Sequence, residues 1–386
     1  MKLTVLAVVC VVVNAVNFKL KQCRKIQERP SVHSMTDEQW MRYTDALDKL
    51  NSGPRPTVWD SIAKLHSDLY SKVHGVAMFL GWHRAYLALV EQKLQEMDAS
   101  VMIPFWDWSI YSQAPEKDPA LSSRRFGFNG VKNGCVGDGT FMNFTVLYNQ
   151  KALPAPHCLR RAFQTKGSKA AALVSFDVLN RTTLQQPTFK GFWYDLEFGA
   201  HATIHNAISS DFASPTSPND PIFFSHHAFV DKLWYDWQQR HPSQAYTYTF
   251  DTSISNFTSN LPPFNIPLRQ TLNPATSLCY SYPNDHFVIG MRLTRRTTSN
   301  CTKLPQPSPD PFNRSDLTRI RIPLPMPDSF IQMMHYNPKV VRHYENRNAI
   351  LVTQLNQATT NPNFPLQLHS SLQNLASFPK LPPPCI

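Results

Sequence analysis

Six of the fourteen histidines fall into two widely separated trios, His66, His74, His83 and His201, His205, His227, and their placement constrains the chain more than any other feature. A histidine taken singly packs in a core or titrates at a surface. The i, i+4 pair His201 and His205 is stronger, because four helical residues turn through about 400° and leave both imidazoles on one face. His227 lies in the first turn of Pro218 to Gln239, where Phe229, Leu233 and Trp237 recur at helical intervals and turn it inward. In the other trio, His66 belongs to Val58–Tyr70, with Ile62, Leu65 and Leu69 at helical spacing, and His83 opens a run to Met97 with Leu87, Val90 and Leu94 on one side. Gly75 and Gly81 stand between His74 and His83. They rule out one unbroken helical face and put His74 on a loop.

Six imidazoles with no thiolate and no carboxylate suit copper, zinc, iron or nickel and disfavour magnesium and calcium. Zinc is the competing ion; a neutral imidazole set tolerates both Cu(I) and Cu(II), which favours copper for redox chemistry. Metal-bound imidazoles usually donate their second N–H to a carboxylate or carbonyl, and Asp231, one turn beyond His227, is placed to accept one. Glu197, one turn before His201, is the candidate for proton handling. Arg84 and Asp107 sit among aromatic residues, so both are expected to be paired inside the fold. With 12 glycines against 32 prolines, the composition points to a helical core framed by long ordered loops. No glycine-rich phosphate loop is present.

The segments Trp82-His83-Arg84 and Asn219-Asp220-Pro221-Ile222-Phe223-Phe224-Ser225-His226-His227 resemble the two copper-binding halves of the tyrosinase and haemocyanin family. The resemblance implies a mainly α fold, a four-helix bundle around two adjacent copper ions, with His66, His74 and His83 on one and His201, His205 and His227 on the other. It gives His226 the place of an adjacent non-ligand histidine with an orienting role. In similar plant phenol oxidases a glutamate at the Glu197 offset orients a water above the coppers, helped by an asparagine directly after the first histidine. Here that following residue is Ala202, a departure that weakens the case for hydroxylating monophenols, although Asn206 after His205 is a partial substitute. Lys72 stands where many relatives carry a thioether-forming cysteine. Ser214 falls where the family often places a gate residue, and a gate this small would leave the site open to bulky phenols. The activity implied is that of a phenol oxidase converting o-diphenols to o-quinones with dioxygen. A haemocyanin-like oxygen carrier and a non-catalytic secreted matrix protein share the same ligands. A single unit with no clear sandwich domain argues against the carrier.

The first fifteen or so residues read as a cleaved secretion signal, and no later stretch reaches the roughly 20 apolar residues that a membrane-spanning helix needs. Cys23, Cys135, Cys158, Cys279, Cys301 and Cys385 then remain, an even set suited to an oxidising compartment. Proximity favours Cys135 with Cys158 and Cys279 with Cys301, which leaves Cys23 for Cys385. Acceptor motifs for N-glycosylation begin at Asn143, Asn180, Asn256, Asn300 and Asn313. The net charge of +11 is spread along the chain, and its basic pairs are not interleaved with a stacking motif, so nucleic-acid binding is not indicated. Cys279-Tyr280-Ser281-Tyr282 resembles the Tyr-x-Tyr element that closes the catalytic core in this family, often against an arginine such as Arg29. The core therefore spans 24–283. The insert-like stretch 109–190 contains His157, read as a loop residue. Residues 284–386 form a proline-rich extension with a helix expected over Phe330–Gln357, and in latent relatives such an extension shields the copper site.

Overall fold

The computed structural model describes residues 18–20, 22–167, 169–247, 260–283 and 319–360. Helix α1, Asp37–Leu50, starts where the sequence signals it, because Thr36 and Gln39 form a reciprocal capping box. Helix α2, Val58–Val73, is capped in the same way by Thr57 and Asp60. Helix α3, Phe79–Met97, begins a turn earlier than the sequence periodicity suggests. Gly81 thus lies inside the helix instead of ending it. Its missing side chain admits Leu268, whose Cδ1 would lie 2.2 Å from a Cβ at that position.

Helix α4, Phe189–Asp195, runs directly into a π-helical segment, Leu196–His201, and then into α5, Ala202–Ile208. Helix α6, Ile222–Arg240, follows the compact turns after α5. Helices α2 and α3, the α4–π–α5 unit and α6 make up the four-helix bundle. Within it, α3 and α6 meet through apolar side chains and through the buried His83, Arg84, His227 and Asp231, and Trp59, Trp82, Trp106, Trp108, Trp193 and Trp237 are fully buried in the same core. Burying rings of this size supplies much of the hydrophobic stabilisation of such a core.

Strands are short and peripheral. Gln27–Glu28 pairs in parallel with Tyr280–Ser281, and Thr145–Tyr148 forms an antiparallel hairpin with Pro154–Cys158. Cys135–Cys158 is a disulfide, as proximity suggests. Cys23, however, pairs with Cys279, which overturns both the Cys279–Cys301 and the Cys23–Cys385 assignments. The parallel strand pair is the reason: Gln27 N–H donates to Cys279 O at 3.0 Å, which draws the entry segment onto the end of the core. Cys301 and Cys385 lie outside the described residues.

After the proline-dense strap, of which only Pro323, Pro325 and Pro327 fall among the described residues, come α7, Asp328–Met333, and α8, Pro338–Thr360. The single expected helix is therefore two, with Tyr336 buried between them. Helix α8 packs on the π-helical segment, and Phe330, Ile331, Met334, Val340 and Val341 join the main core. No described helix is long and apolar enough to cross a membrane.

Candidate metal centre

Each histidine of the two trios is presented by a particular piece of local structure. His66 projects from the middle of α2, His74 ends that helix as its cap, and Gly75 takes the left-handed φ of +69° that turns the chain away. His83 sits in the second turn of α3. His201 closes the π-helical segment, His205 lies a turn later in α5, and His227 lies in α6. The ligand atoms of His66, His74 and His83 converge within 4.8 Å of one another, as do those of His201, His205, His226 and His227. The clusters adjoin: the ring of His83 stacks on that of His227 at 4.4 Å, and His74 lies 6.3 Å from His201.

The second ring nitrogens show what the first are for. Nδ1 of His66 meets Pro215 O at 2.7 Å, His74 meets Tyr70 O at 3.2 Å, His83 meets Phe79 O at 2.9 Å, His201 meets Glu197 O at 3.1 Å and His205 meets Phe212 O at 2.7 Å. A carbonyl only accepts, so each of these rings carries its proton on Nδ1 and turns a bare Nε2 lone pair inward. Nε2 of His66 and of His83 then face each other at 3.4 Å with no proton between them. Two converging lone pairs repel, and a cation relieves that repulsion. Nε2 of His201, His205 and His227 is buried without a hydrogen-bond partner among the described residues, an arrangement that costs free energy unless something is coordinated. Burial also keeps the imidazoles neutral: it depresses His66 to about 3 and His205 to about 4, and holds His74, His83, His201 and His227 well below their ordinary range. The donor set thus fits a transition metal in each cluster.

His226 behaves differently from its neighbours. The indole N–H of Trp108 donates to His226 Nδ1 at 3.2 Å, so a neutral His226 carries its proton on Nε2 and offers that cluster no lone pair there. Its ring stacks on His201 at 5.3 Å. Tautomer and stacking therefore separate it from His201, His205 and His227, although all four converge.

Glu197 lies in the π-helical segment four residues before His201 and is wholly buried. Its Oε1 accepts the Gly75 backbone N–H at 2.7 Å, next to His74, and its Oε2 accepts the indole N–H of Trp193. Burial lifts its carboxyl to about 8 against the opposing pull of those two donors. Ala202 is fully buried behind His201. The Oδ1 of Asn206 accepts from Gln164 Nε2 at 3.0 Å, which ties that side chain to the insert. Ser214 is also fully buried, and its hydroxyl donates to Asp211 O at 2.9 Å.

The expectation for Asp231 is corrected. Its carboxylate accepts from Arg29, Arg84, Tyr280 and Tyr282, with Arg84 Nε at 2.5 Å; five of the six imidazoles use main-chain carbonyls instead, and Nδ1 of His227 has no hydrogen-bond partner among the described residues. Helical geometry explains the difference, because the i−4 carbonyl already lies beside Nδ1 of His74, His83 and His201. Arg84 is paired as expected, and Arg29 meets the Tyr-x-Tyr element, its guanidinium carbon 3.6 Å from the Tyr280 ring centre. Asp107 departs from expectation: it accepts from the amide and hydroxyl of Ser109 and forms no ion pair among the described residues. Sequence reasoning missed the carbonyl acceptors, which have no residue signature, and it missed Trp108 as the residue that fixes the His226 tautomer.

The family model for the common central domain of tyrosinase matches residues 56–240. Tyrosinase-like protein phomQ1' of Diaporthe leptostromiformis is 32% identical over 255 residues, covering 58% of this chain and 66% of that protein. A tyrosinase of Streptomyces antibioticus is 31% identical over 240 residues, 56% of this chain and 85% of that protein. The matches to phomQ1' and to phomQ1 of the same fungus span 66% and 64% of their lengths, just under two thirds. Among solved structures, a variant polyphenol oxidase of Thermothelomyces thermophila superposes with a TM-score of 0.58 at 21% identity, covering 67% of this chain and 89% of that one. A tyrosinase of Burkholderia thailandensis gives a TM-score of 0.51 at 17% identity over 67% of this chain and 73% of that one. Both likenesses are of fold. Matched along its central domain and built around two buried histidine clusters able to hold the pair of ions, the chain belongs to the tyrosinase family of binuclear, type 3 copper proteins.

Proposed function

We propose that the protein is a secreted phenol oxidase that converts o-diphenols to o-quinones at the expense of dioxygen. The observation that carries this reading is the pair of adjoining clusters, each presenting bare Nε2 lone pairs from rings locked by main-chain carbonyls. Two coppers held there supply the two-electron exchange between a diphenol and dioxygen. The protein's own part is positional. Burial keeps water away from the clusters, and the neutral imidazoles need lose no proton before binding a metal. Glu197 can move a proton: burial lifts its carboxyl to about 8, its Oε1 is hydrogen-bonded to the amide that follows His74, and it lies four residues before His201, which makes it the candidate for general acid–base work at a phenol hydroxyl. Ala202 can neither donate to nor accept from a nearby water, so o-diphenols, which need less help with deprotonation, are the preferred substrates. The apolar leader, the even cysteine set and the glycosylation motifs favour secretion, and the extension beyond 283 is a candidate shield over the site.

The test is oxygen uptake by the copper-loaded protein with L-DOPA and then L-tyrosine, before and after limited proteolysis, alongside a copper count. Two coppers per chain with DOPA turnover is the expected result. Two coppers that bind oxygen reversibly without turnover would sink the enzyme reading. Glu197→Gln should lower kcat on diphenols while leaving the copper count at two.

A further inference from the structure

One short loop, residues 209–216, touches both histidine clusters. Pro215 O accepts from His66 in one cluster, and Phe212 O accepts from His205 in the other, each at 2.7 Å. The Phe212 ring also stacks on His205 at 4.4 Å. The loop does not hold this shape by local preference. Ser209 and Ser210 have φ of +58° and +55°, in the left-handed region where a side chain is disfavoured, so contacts from outside the loop must impose the turn.

Those contacts centre on Asp211. Its buried carboxylate accepts the Arg160 backbone N–H at 2.9 Å and lies 3.2 Å from His157 Nε2. Ring nitrogen Nδ1 of His157 meets Ala155 O at 2.8 Å, so both nitrogens of this ring face acceptors. Gln150 Nε2 donates to Ser210 O, and Thr216 Oγ1 donates to Asn149 O. Each outside partner belongs to the insert, on or beside the hairpin that ends at Cys158, which the Cys135 disulfide ties down.

We propose that Asp211, held by His157, is a positioning residue for both metal sites, and that the loop it anchors grips the two ions as one unit. By fixing two carbonyls it fixes the tautomer and ring orientation of one ligand in each cluster. Residues with this relation to a metal ligand commonly change affinity about 10–100-fold when replaced. The insert is then the frame for the main-chain acceptors that the bundle helices do not supply themselves. The inference rests on the two-copper reading of the site.

The experiment uses the full-length, copper-loaded protein and its Asp211→Asn and His157→Gln variants. Copper retained per chain is followed against time in excess EDTA, and thermal unfolding is measured on each copper-free form. The expected result is that both ions leave Asp211→Asn on the order of 10-fold faster, His157→Gln shifting the same way by less, with the copper-free melting temperatures little changed. Faster loss of only one ion, or no change, would overturn the proposal. So would a fall in copper-free melting temperature that matches the faster loss, since general destabilisation would then account for it. Should Asp211→Asn not fold, His157→Gln decides by the same criteria. Fewer than two coppers in the wild type before EDTA is added would remove the two-copper reading itself, and that count is taken independently of release.

Discussion

The ring of Tyr344 on α8 fills the space that a side chain at Gly199 would need: a Cβ there would lie 2.2 Å from Tyr344 Cε2 and 2.4 Å from Cδ2 and Cζ. Gly199 lies in the π-helical segment between Glu197 and His201, so the C-terminal helix bears directly on the stretch of backbone that aims both residues. Tyr344 is itself buried and cannot swing aside as a flexible chain end would.

Gly199→Ala is therefore expected to overpack this contact at a cost of about 1–3 kcal/mol. Thermal denaturation should show a lower melting temperature, and limited proteolysis should release the segment containing α8 sooner than in the wild type. An unchanged melting temperature would mean that α8 can slide at no cost and is not a fixed wall of the site.

Acid should destabilise the copper-free protein steeply. Burial lowers the folded pKa of His66 to about 3 and of His205 to about 4 from an ordinary 6.5, so below 6.5 the unfolded chain binds more protons than the folded one. The stabilising contribution is thus complete above 6.5 and is lost as pH falls towards those folded values. By pH 5 each of the two costs about 2 kcal/mol, and the other cluster histidines shift the same way. Urea midpoints measured from pH 7.5 down to 5 check this; a flat profile would show that the imidazoles stay solvated. Glu197 titrates with the opposite sign: its raised folded pKa of about 8 makes stability fall as pH rises from its ordinary value through 8. The difference between wild type and Glu197→Gln isolates that slope.

Much of the site was legible in the chain because its ligands sit on helices, where spacing translates into a face. His201 and His205 could be placed together from their i, i+4 relation alone. Adjacency of the clusters was not legible in this way, since it depends on how α3 packs against α6. The π-helical segment had no signature either, for the residues from Leu196 to His201 read equally well as an ordinary helical turn. Cys23 was assigned to the wrong partner because separation along the chain says nothing about the parallel strand pair that brings Gln27 beside Tyr280. The role of Asp231 was misread for a related reason. A carboxylate one turn from a ligand is a good acceptor only if nothing stronger reaches it, and Arg29 and Arg84 both do.

That arginine pair sets the next expectation. Arg84 follows His83 on α3, and Asp231 lies a turn beyond His227 on α6, so their 2.5 Å ion pair ties together the helices that serve the two clusters. Arg84 also donates to Thr271 O and Leu272 O, and Arg29 binds Glu91 on α3 as well. Asp231→Ala leaves two buried guanidinium groups short of charge compensation, for which about 3–5 kcal/mol is the usual cost. The denaturant midpoint should fall accordingly, with copper uptake weakened only as a consequence of the lower stability. A change within about 1 kcal/mol would show that Glu91 alone can hold Arg29 and that Arg84 is satisfied by the two carbonyls.

The Cys23–Cys279 disulfide closes a loop with a sequence separation of 256 residues, which encloses the whole bundle. Cross-links act largely on the unfolded chain, and loops this long lie at the upper end of the usual range of about 2–5 kcal/mol. The double variant Cys23→Ala, Cys279→Ala is therefore expected to lose several kcal/mol in global stability. Its copper site should change little, because the nearest link from that end of the core to the clusters runs through the Arg29–Asp231 hub, which hydrogen bonds and the Tyr280–Tyr282 rings hold independently of the sulfurs. Guanidinium unfolding, followed together with copper content at each denaturant concentration, separates the two effects. Copper lost well before the global transition in this variant, but not in the wild type, would show that the disulfide maintains the site and not merely the fold around it.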